Sequence, residues 1–277
     1  MTGQTPSAQQ QAAPRYTHGH HDSVLRSHRW RTAENSAGYL LPSLRPGISI
    51  LDIGCGPGTI TIDLAERVAP GKVLGVDSSA AVIAQAADAA GAAGIGNVQF
   101  AVGDVYALAV PDDSFDVVHA HQVLQHLTDP VAALREMRRV CRPGGVVAAR
   151  DGSYAAMSWY PRLPALDDWM ALYQEVATSN AAEPNAAPVL RHWAHRAGFV
   201  DVASSASVWC YSSDTERLWW GDLWADRVVA SSFGEQARER GFADQQQLDA
   251  IAAGWREWAT DPDAWFAVLN GEILCRA

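Results

Sequence analysis

The sequence contains little cysteine and few basic residues. Four of its 277 residues are cysteines, and no two of them form a Cys-x-x-Cys pair, so neither a disulfide framework nor a zinc site is expected. Lysine and arginine number 21 against 31 aspartates and glutamates, which gives a net charge of −10. Because nucleic-acid affinity depends on neutralising phosphates, this charge disfavours a nucleic-acid substrate.

Long apolar runs are also missing. No stretch approaches the roughly 18 apolar residues that a membrane span requires. The first residues lack the basic start and apolar stretch of a secretory signal, and residues 1–15 have the Gln, Ala, Thr and Pro content of a disordered tail. These features predict a cytoplasmic protein without a membrane span.

Short β-branched runs alternate with helical patterns between about residues 47 and 151. Strands are predicted over 48–53, 72–77, 97–102, 114–121 and 146–151. The best-marked helix follows Asp129, which can cap it, and Pro130, which suits its first turn. The alternation predicts an α/β fold with a doubly wound, mostly parallel sheet of seven strands.

The second half of the sequence has a different pattern. Ten of the eleven tryptophans follow residue 158. A strand is predicted over 199–211, and residues 264–276 are predicted to form a hairpin or a closing strand. We interpret about 152–187 and 212–262 as helical insertions in a domain that spans 46–277.

Three glycines follow the first predicted strand. Gly54, Gly56 and Gly58 precede a helix, where unpaired backbone N–H groups favour an anionic ligand group. A dinucleotide fingerprint requires a glycine at the sixth position, which is occupied here by Thr59. An ordinary tight turn between strand and helix is the alternative explanation.

Residues 52–58 (DIGCGPG) resemble the first motif of class I S-adenosylmethionine-dependent methyltransferases. Residues 111–118 and the Arg-Pro-Gly-Gly turn at 142–145 resemble later motifs of that family, in the same order. The resemblance implies a Rossmann-like methyltransferase fold with S-adenosylmethionine as the cofactor. It places Asp52 with the three glycines in the cofactor site.

Acidic residues end the second and third predicted strands. Asp77 can accept hydrogen bonds from both ribose hydroxyls, with Ser78 beside it, although a strand-end aspartate can also serve as a helix cap. The resemblance implies that Asp104, with its neighbours Gly103 and Val105, contacts the adenine.

Two further segments are similar to the branch of this family that includes the ubiquinone and menaquinone biosynthesis methyltransferases. One is the segment 121–127 (HQVLQHL), and the other is 27–32 (SHRWRT), which in that branch belongs to a helix that closes over the cofactor. Residues 16–45 are therefore predicted to form an N-terminal helical lid. Arg31 is a candidate partner for the methionine carboxylate, and a solvated helical arginine is the alternative.

Histidines are the candidate catalytic residues. His121 ends the fourth predicted strand, where doubly wound folds bind ligands, so it is also a candidate cofactor contact. His126 and His21 are further candidates for a general base, although a structural role for His126 is the stronger alternative. No set of converging ligands fixes a metal site, so none is predicted.

The sequence therefore predicts methyl transfer from S-adenosylmethionine to the O, N or C nucleophile of a small molecule. Two or three of the tryptophans at 159, 219, 220 and 224 are expected to face an aromatic or apolar acceptor. A catalytically idle protein that binds the cofactor and acts through protein contacts is the alternative. The oligomeric state is left open, with a homodimer as one option.

Overall fold

The computed structural model describes Thr17 and residues 27–277, and its centre is one mixed sheet. The strands are β1 (Ile50–Ile53), β2 (Val73–Asp77), β3 (Val98–Val102), β4 (Phe115–His121), β5 (Cys141–Gly152), β6 (Ser158–Tyr160), β7 (Val202–Tyr211) and β8 (Trp265–Arg276). The helices are α1 (Ala33–Ala37), α2 (Thr59–Val68), α3 (Ala80–Ala93), α4 (Pro130–Val140), α5 (Pro164–Ser179), α6 (Leu190–Arg196), α7 (Asp214–Ala230), α8 (Ser232–Glu239) and α9 (Gln245–Thr260).

The sheet has seven strand positions. The order of the main strands is β3-β2-β1-β4-β5-β8-β7, and the first five of these strands are parallel. β5 and the short β6 pair with successive parts of one edge of β8, whereas β7 pairs along its other edge. β8 is antiparallel to its neighbours, so the prediction of a mostly parallel, seven-stranded doubly wound sheet is confirmed.

Local sequence explains where the helices begin. Asp129 accepts a hydrogen bond from the N–H of Ala132 at 2.9 Å, and Pro130 is the first residue of α4, as predicted. The Ser79 hydroxyl accepts a hydrogen bond from the N–H of Val82 and caps α3. The alternative role of Asp77 as a helix cap is therefore not needed.

The last strand corrects one sequence-based alternative. Residues 265–276 form a single twelve-residue strand, so the hairpin is wrong. The Asn-Gly pair at 270–271 is typical of a hairpin turn. Here, however, a Cβ on Gly271 would lie 2.6 Å from the carbonyl oxygen of Ala187, so this glycine permits a close backbone approach rather than a turn.

The helices of the second half bury an aromatic core of their own. The side chains of Trp169, Trp255 and Trp258 from α5 and α9 are fully buried. Trp169 packs edge-to-face on Trp255, with ring centroids 4.9 Å apart. These tryptophans are structural. No helix within residues 27–277 is both long and apolar enough to cross a membrane.

Candidate functional site

A cavity of about 300 Å³ opens at the carboxyl ends of the parallel strands. The glycine loop after β1, the end of β2 and the end of β4 supply one side of its lining. Residues from β7 and α7 supply another side. Open α/β sheets bind ligands at this edge, and the volume lies within the range of small-molecule sites.

The glycine loop has a backbone that other residues adopt poorly. Gly54, Gly56 and Gly58 have φ angles of 64°, 54° and 85°. A Cβ on Gly54 would lie 2.4 Å from Cγ2 of Val123. Gly54 and Gly56 line the cavity, whereas Gly58 lies outside the lining and allows close packing of α2 against α3.

Asp77 holds the loop and the start of α3 together. One oxygen of its carboxylate accepts the N–H of Gly56 at 3.1 Å, and the other accepts the N–H of Ser79 at 3.0 Å. Asp77 and Ser78 both line the cavity. The carboxylate is therefore fixed in orientation at the strand end, beside the glycine backbone.

Asp52 is buried, and both oxygens of its carboxylate have partners in the chain. Its carboxylate accepts the hydroxyl of Thr61 at 2.5 Å, and its other oxygen contacts Nδ1 of His119 at 2.7 Å. Asp52 lines the cavity, and its carboxylate is buried. These contacts stabilise the floor of the site.

The residues predicted to contact adenine lie outside the cavity lining. Asp104 is exposed, and its carboxylate accepts the N–H of Tyr106 at 2.9 Å. A Cβ on Gly103 would lie 2.7 Å from Cγ1 of Val76, so this glycine allows β3 to end close to β2. Neither they nor the partly buried Val105 belong to the lining.

Arg31 and the end of β4 meet inside the cavity. The guanidinium of Arg31 donates to Oε1 of Gln122 at 2.7 Å and lies over the ring of Trp209. His121 lines the cavity beside Trp209, and neither of its ring nitrogens has a hydrogen-bond partner among residues 27–277. Burial, reinforced by Arg31, lowers the pKa of His121 well below its ordinary value, so the ring is neutral.

His126 also lines the cavity, but its basic nitrogen is occupied. The side-chain oxygen of Gln125 accepts the N–H of Gly152 at 3.2 Å, which leaves the amide nitrogen of Gln125 to donate to Nε2 of His126 at 3.1 Å. Burial and the nearby Arg31 lower the pKa of His126 to about 3. His126 is thus a weak base at neutral pH. The third candidate, His21, lies outside the described residues.

An aromatic wall faces the glycine loop across the cavity. Its members, all in the lining, are Trp30, Tyr154, Trp209, Tyr211, Trp219, Trp220 and Trp224. Tyr211 stacks on Trp220 with ring centroids 4.2 Å apart, and Trp30 packs on Trp209 at 5.5 Å. The wall offers flat apolar surface to a ligand.

Three of the four tryptophans that the sequence singled out belong to the wall, in line with the expected two or three. Trp219, Trp220 and Trp224 line the cavity, but Trp159 does not, because it stacks on Phe266 in the second core. Sequence reasoning did not single out Trp209, Tyr211, Tyr154 or the buried, cavity-lining Arg227. Trp30, another member of the wall, was within reach of sequence reasoning because it precedes Arg31, which was a candidate.

Comparisons with known proteins agree with this geometry. Residues 44–218 match a family described as a methyltransferase domain. The chain is 35% identical over 269 residues to an uncharacterised methyltransferase of Schizosaccharomyces pombe, covering 94% of this chain and 95% of that protein. It is 36% identical over 131 residues to a demethylmenaquinone methyltransferase of Staphylococcus aureus, covering 47% and 51%.

A solved structure shows the same fold. It is a phosphoethanolamine N-methyltransferase of Haemonchus contortus in complex with phosphomonomethylethanolamine and S-adenosylhomocysteine, with a TM-score of 0.53 and 19% identity. The match covers 84% of this chain and 49% of that one. In the described part of the present chain, no group of three or more His, Cys, Asp or Glu side chains is placed to hold a metal ion.

Proposed function

Because this chain belongs to the methyltransferase domain family and is an S-adenosylmethionine-dependent methyltransferase, we propose that it methylates a small, flat and largely apolar molecule. The observation that carries the proposal is that one cavity is lined by both the glycine loop and the aromatic wall. One ligand contact surface is polar and the other is aromatic, as expected where a cofactor and an acceptor meet.

The residues present fit the cofactor. The positive φ angles of Gly54 and Gly56 bring bare backbone to the cavity surface, and the carboxylate of Asp77 is fixed at the strand end. We assign Asp52, the glycine loop, Asp77 and Ser78 to hold the cofactor, with Arg31 on its carboxylate. The cofactor supplies a methyl carbon on a positively charged sulfur, which is a good leaving group.

Residues outside the lining complete this assignment. We propose that Gly58 supports the cofactor through loop geometry. We also propose that Gly103, Asp104 and Val105 reach the adenine at the edge of the cavity, where Asp104 is exposed. The lid over 16–45 and the helical insertions at about 152–187 and 212–262 would cover the acceptor.

The chain contributes chiefly alignment. The aromatic wall excludes water and orients a flat acceptor, and such positioning can supply several kcal/mol of barrier reduction. Of His121 and His126, we favour His121 for contact with a reacting group, because its ring nitrogens have no hydrogen-bond partner among residues 27–277, whereas Nε2 of His126 is occupied. His21 stays a candidate base.

Composition supports the rest of the proposal. A net charge of −10 disfavours a nucleic-acid acceptor, and the volume of the cavity suits a small molecule. All four cysteines are free, as in proteins of reducing compartments, which supports a cytoplasmic location.

The test is turnover with labelled cofactor. The protein is incubated with methyl-labelled S-adenosylmethionine and a panel of phenols, amines, carboxylic acids and quinol precursors, and both S-adenosylhomocysteine and labelled product are quantified. We expect acceptor-dependent turnover with at least one aromatic acceptor. Tight cofactor binding without turnover across the panel would instead support the idle alternative.

A further inference from the structure

Three guanidinium groups lie over two rings of the aromatic wall. Arg150 lies over Trp209 with its Cζ 4.4 Å from the ring centroid, and Arg31 lies over the same ring at 5.6 Å. Arg227 lies over Trp224 at 4.5 Å. Arg150 and Arg227 are 1% and 4% exposed, so little solvent screens their charges.

The same arginines act on polar groups of the cavity. Burial raises the pKa of Tyr211, while Arg31, Arg150 and Arg227 each act to lower it. Burial lowers the pKa of His121, and Arg31 and Arg150 lower it further. Groups on β4 and β7 thus both experience positive potential.

The two carboxylates of the described lining, Asp52 and Asp77, are each bound by other groups of the chain. Asp77 accepts backbone N–H groups of the loop, and Asp52 is held by Thr61 and His119. Arg150 forms an ion pair with Glu272 at 3.3 Å, and the buried Asp151 is the next residue along the chain. Glu272 also accepts the hydroxyls of two serines at 205 and 207, and it lies outside the cavity lining.

This arrangement changes what an aromatic site selects. A bare cage of tryptophan rings suits ammonium groups, because a cation is attracted to the face of the ring. Here guanidinium groups already lie over the faces of Trp209 and Trp224. They would therefore repel an ammonium acceptor and attract an anionic one.

We propose that the acceptor is a planar organic anion, whose ring packs on the aromatic wall and whose negative oxygen is attracted by Arg227, while Arg31 holds the carboxylate of the cofactor. This inference rests on the proposed function, since it specifies the acceptor of the same cavity. It excludes amines as the preferred acceptors. Carboxylates and phenolates share the required chemistry.

The test measures binding of matched probes to the full chain saturated with S-adenosylhomocysteine. Calorimetry compares 2-naphthoate, 2-naphthamide, 2-naphthol and 2-(aminomethyl)naphthalene, which share one ring system and differ in charge. We expect 2-naphthoate to bind about tenfold or more tightly than the neutral amide, and the ammonium probe to bind weakest. Titrating 2-naphthol at pH 7 and pH 10 shows whether a phenolate is accepted as well as a carboxylate.

Substitutions of Arg227 test whether its charge causes the preference for 2-naphthoate. Arg227→Gln should remove most of the preference for 2-naphthoate, while Arg227→Lys should keep a part of it. Arg162→Gln is the matched control, because Arg162 also lies over a tryptophan, Trp159, but outside the cavity lining. This control should leave all four dissociation constants unchanged. Melting temperatures are recorded to confirm that each variant is folded.

Two outcomes would overturn the inference. One is that the amide or the ammonium probe binds as tightly as 2-naphthoate, and the other is that Arg227→Gln and Arg227→Lys both keep the full preference. Turnover of a neutral or ammonium acceptor in the labelling assay, with no preference for anions, would leave the proposed function standing without this inference. A clear anion preference with no turnover of any acceptor would leave this inference about the ligand standing without the proposed methyl transfer.

Discussion

Replacing Gly54 with alanine tests how the glycine loop is built. Alanine at a φ of 64° would cost about 1–2 kcal/mol, because the left-handed region is unfavourable for a residue with a Cβ. The new Cβ would also lie 2.4 Å from Cγ2 of Val123, and such overpacking typically costs about 1–3 kcal/mol. We therefore expect a loss of roughly 2–5 kcal/mol in the free energy of unfolding, with weaker S-adenosylmethionine binding.

Urea unfolding measures the loss, and Gly94→Ala is the matched control. Gly94 has a similar φ of 70°, and a Cβ there meets no atom within 4 Å, so its loss should be only about 1–2 kcal/mol. Adding Val123→Ala to Gly54→Ala should recover part of the difference. The reasoning is refuted if Gly54→Ala destabilises the protein no more than Gly94→Ala.

Three further predictions concern buried or loop-bound charges. Asp77→Asn replaces one acceptor of a backbone N–H with a donor, so calorimetry should show about tenfold or weaker binding of S-adenosylmethionine. Burial raises the pKa of Asp151 from 3.8 to about 8, so the folded chain holds a proton there that the unfolded chain releases. The free energy of unfolding therefore falls as the pH rises from about 4 to about 8. Asp151→Asn should therefore be more stable than the native chain at pH 8 in urea unfolding, and the gain should disappear toward pH 4. Arg150→Met leaves Glu272 buried without its cation and should cost about 3–5 kcal/mol, most of it recovered on adding Glu272→Gln.

For each of these three predictions, one result would contradict the expectation. An unchanged dissociation constant for Asp77→Asn would remove that carboxylate from the cofactor site. A stability difference for Asp151→Asn that does not vary with pH would show that its carboxyl titrates alike in the folded and unfolded chains. If the double variant at 150 and 272 is no more stable than Arg150→Met alone, the two charges do not depend on each other.

The sheet was predictable because its signals are local. Each of the first five strands is a short β-branched run next to a turn or a cap, and Asp129 with Pro130 marks a helix start unambiguously. β6 was not predicted, because three residues before a proline carry no periodicity. The hairpin alternative for residues 264–276 could not be dismissed from the sequence, because the close approach of residue 187 to Gly271 is visible only in three dimensions.

The cavity was predictable only on the side of the glycine loop. The glycine loop and Asp77 are neighbours of strand ends, so their order along the chain places them together. The wall depends instead on which aromatic residues of the second-half core border the cavity. Trp220 lines the cavity and Trp255 is fully buried, yet both lie in similar helical patterns. The guanidinium groups that lie over rings of the wall come from separate parts of the sequence, so no motif or spacing predicts them.

The central claim is that the glycine loop and the aromatic wall form one site for cofactor and acceptor. The most direct measurement is a crystal structure of the protein with S-adenosylhomocysteine bound. We expect the ribose hydroxyls to bind Asp77 and the thioether sulfur to face the aromatic wall. A cofactor bound away from the glycine loop, or a sulfur separated from the wall by intervening protein, would contradict it.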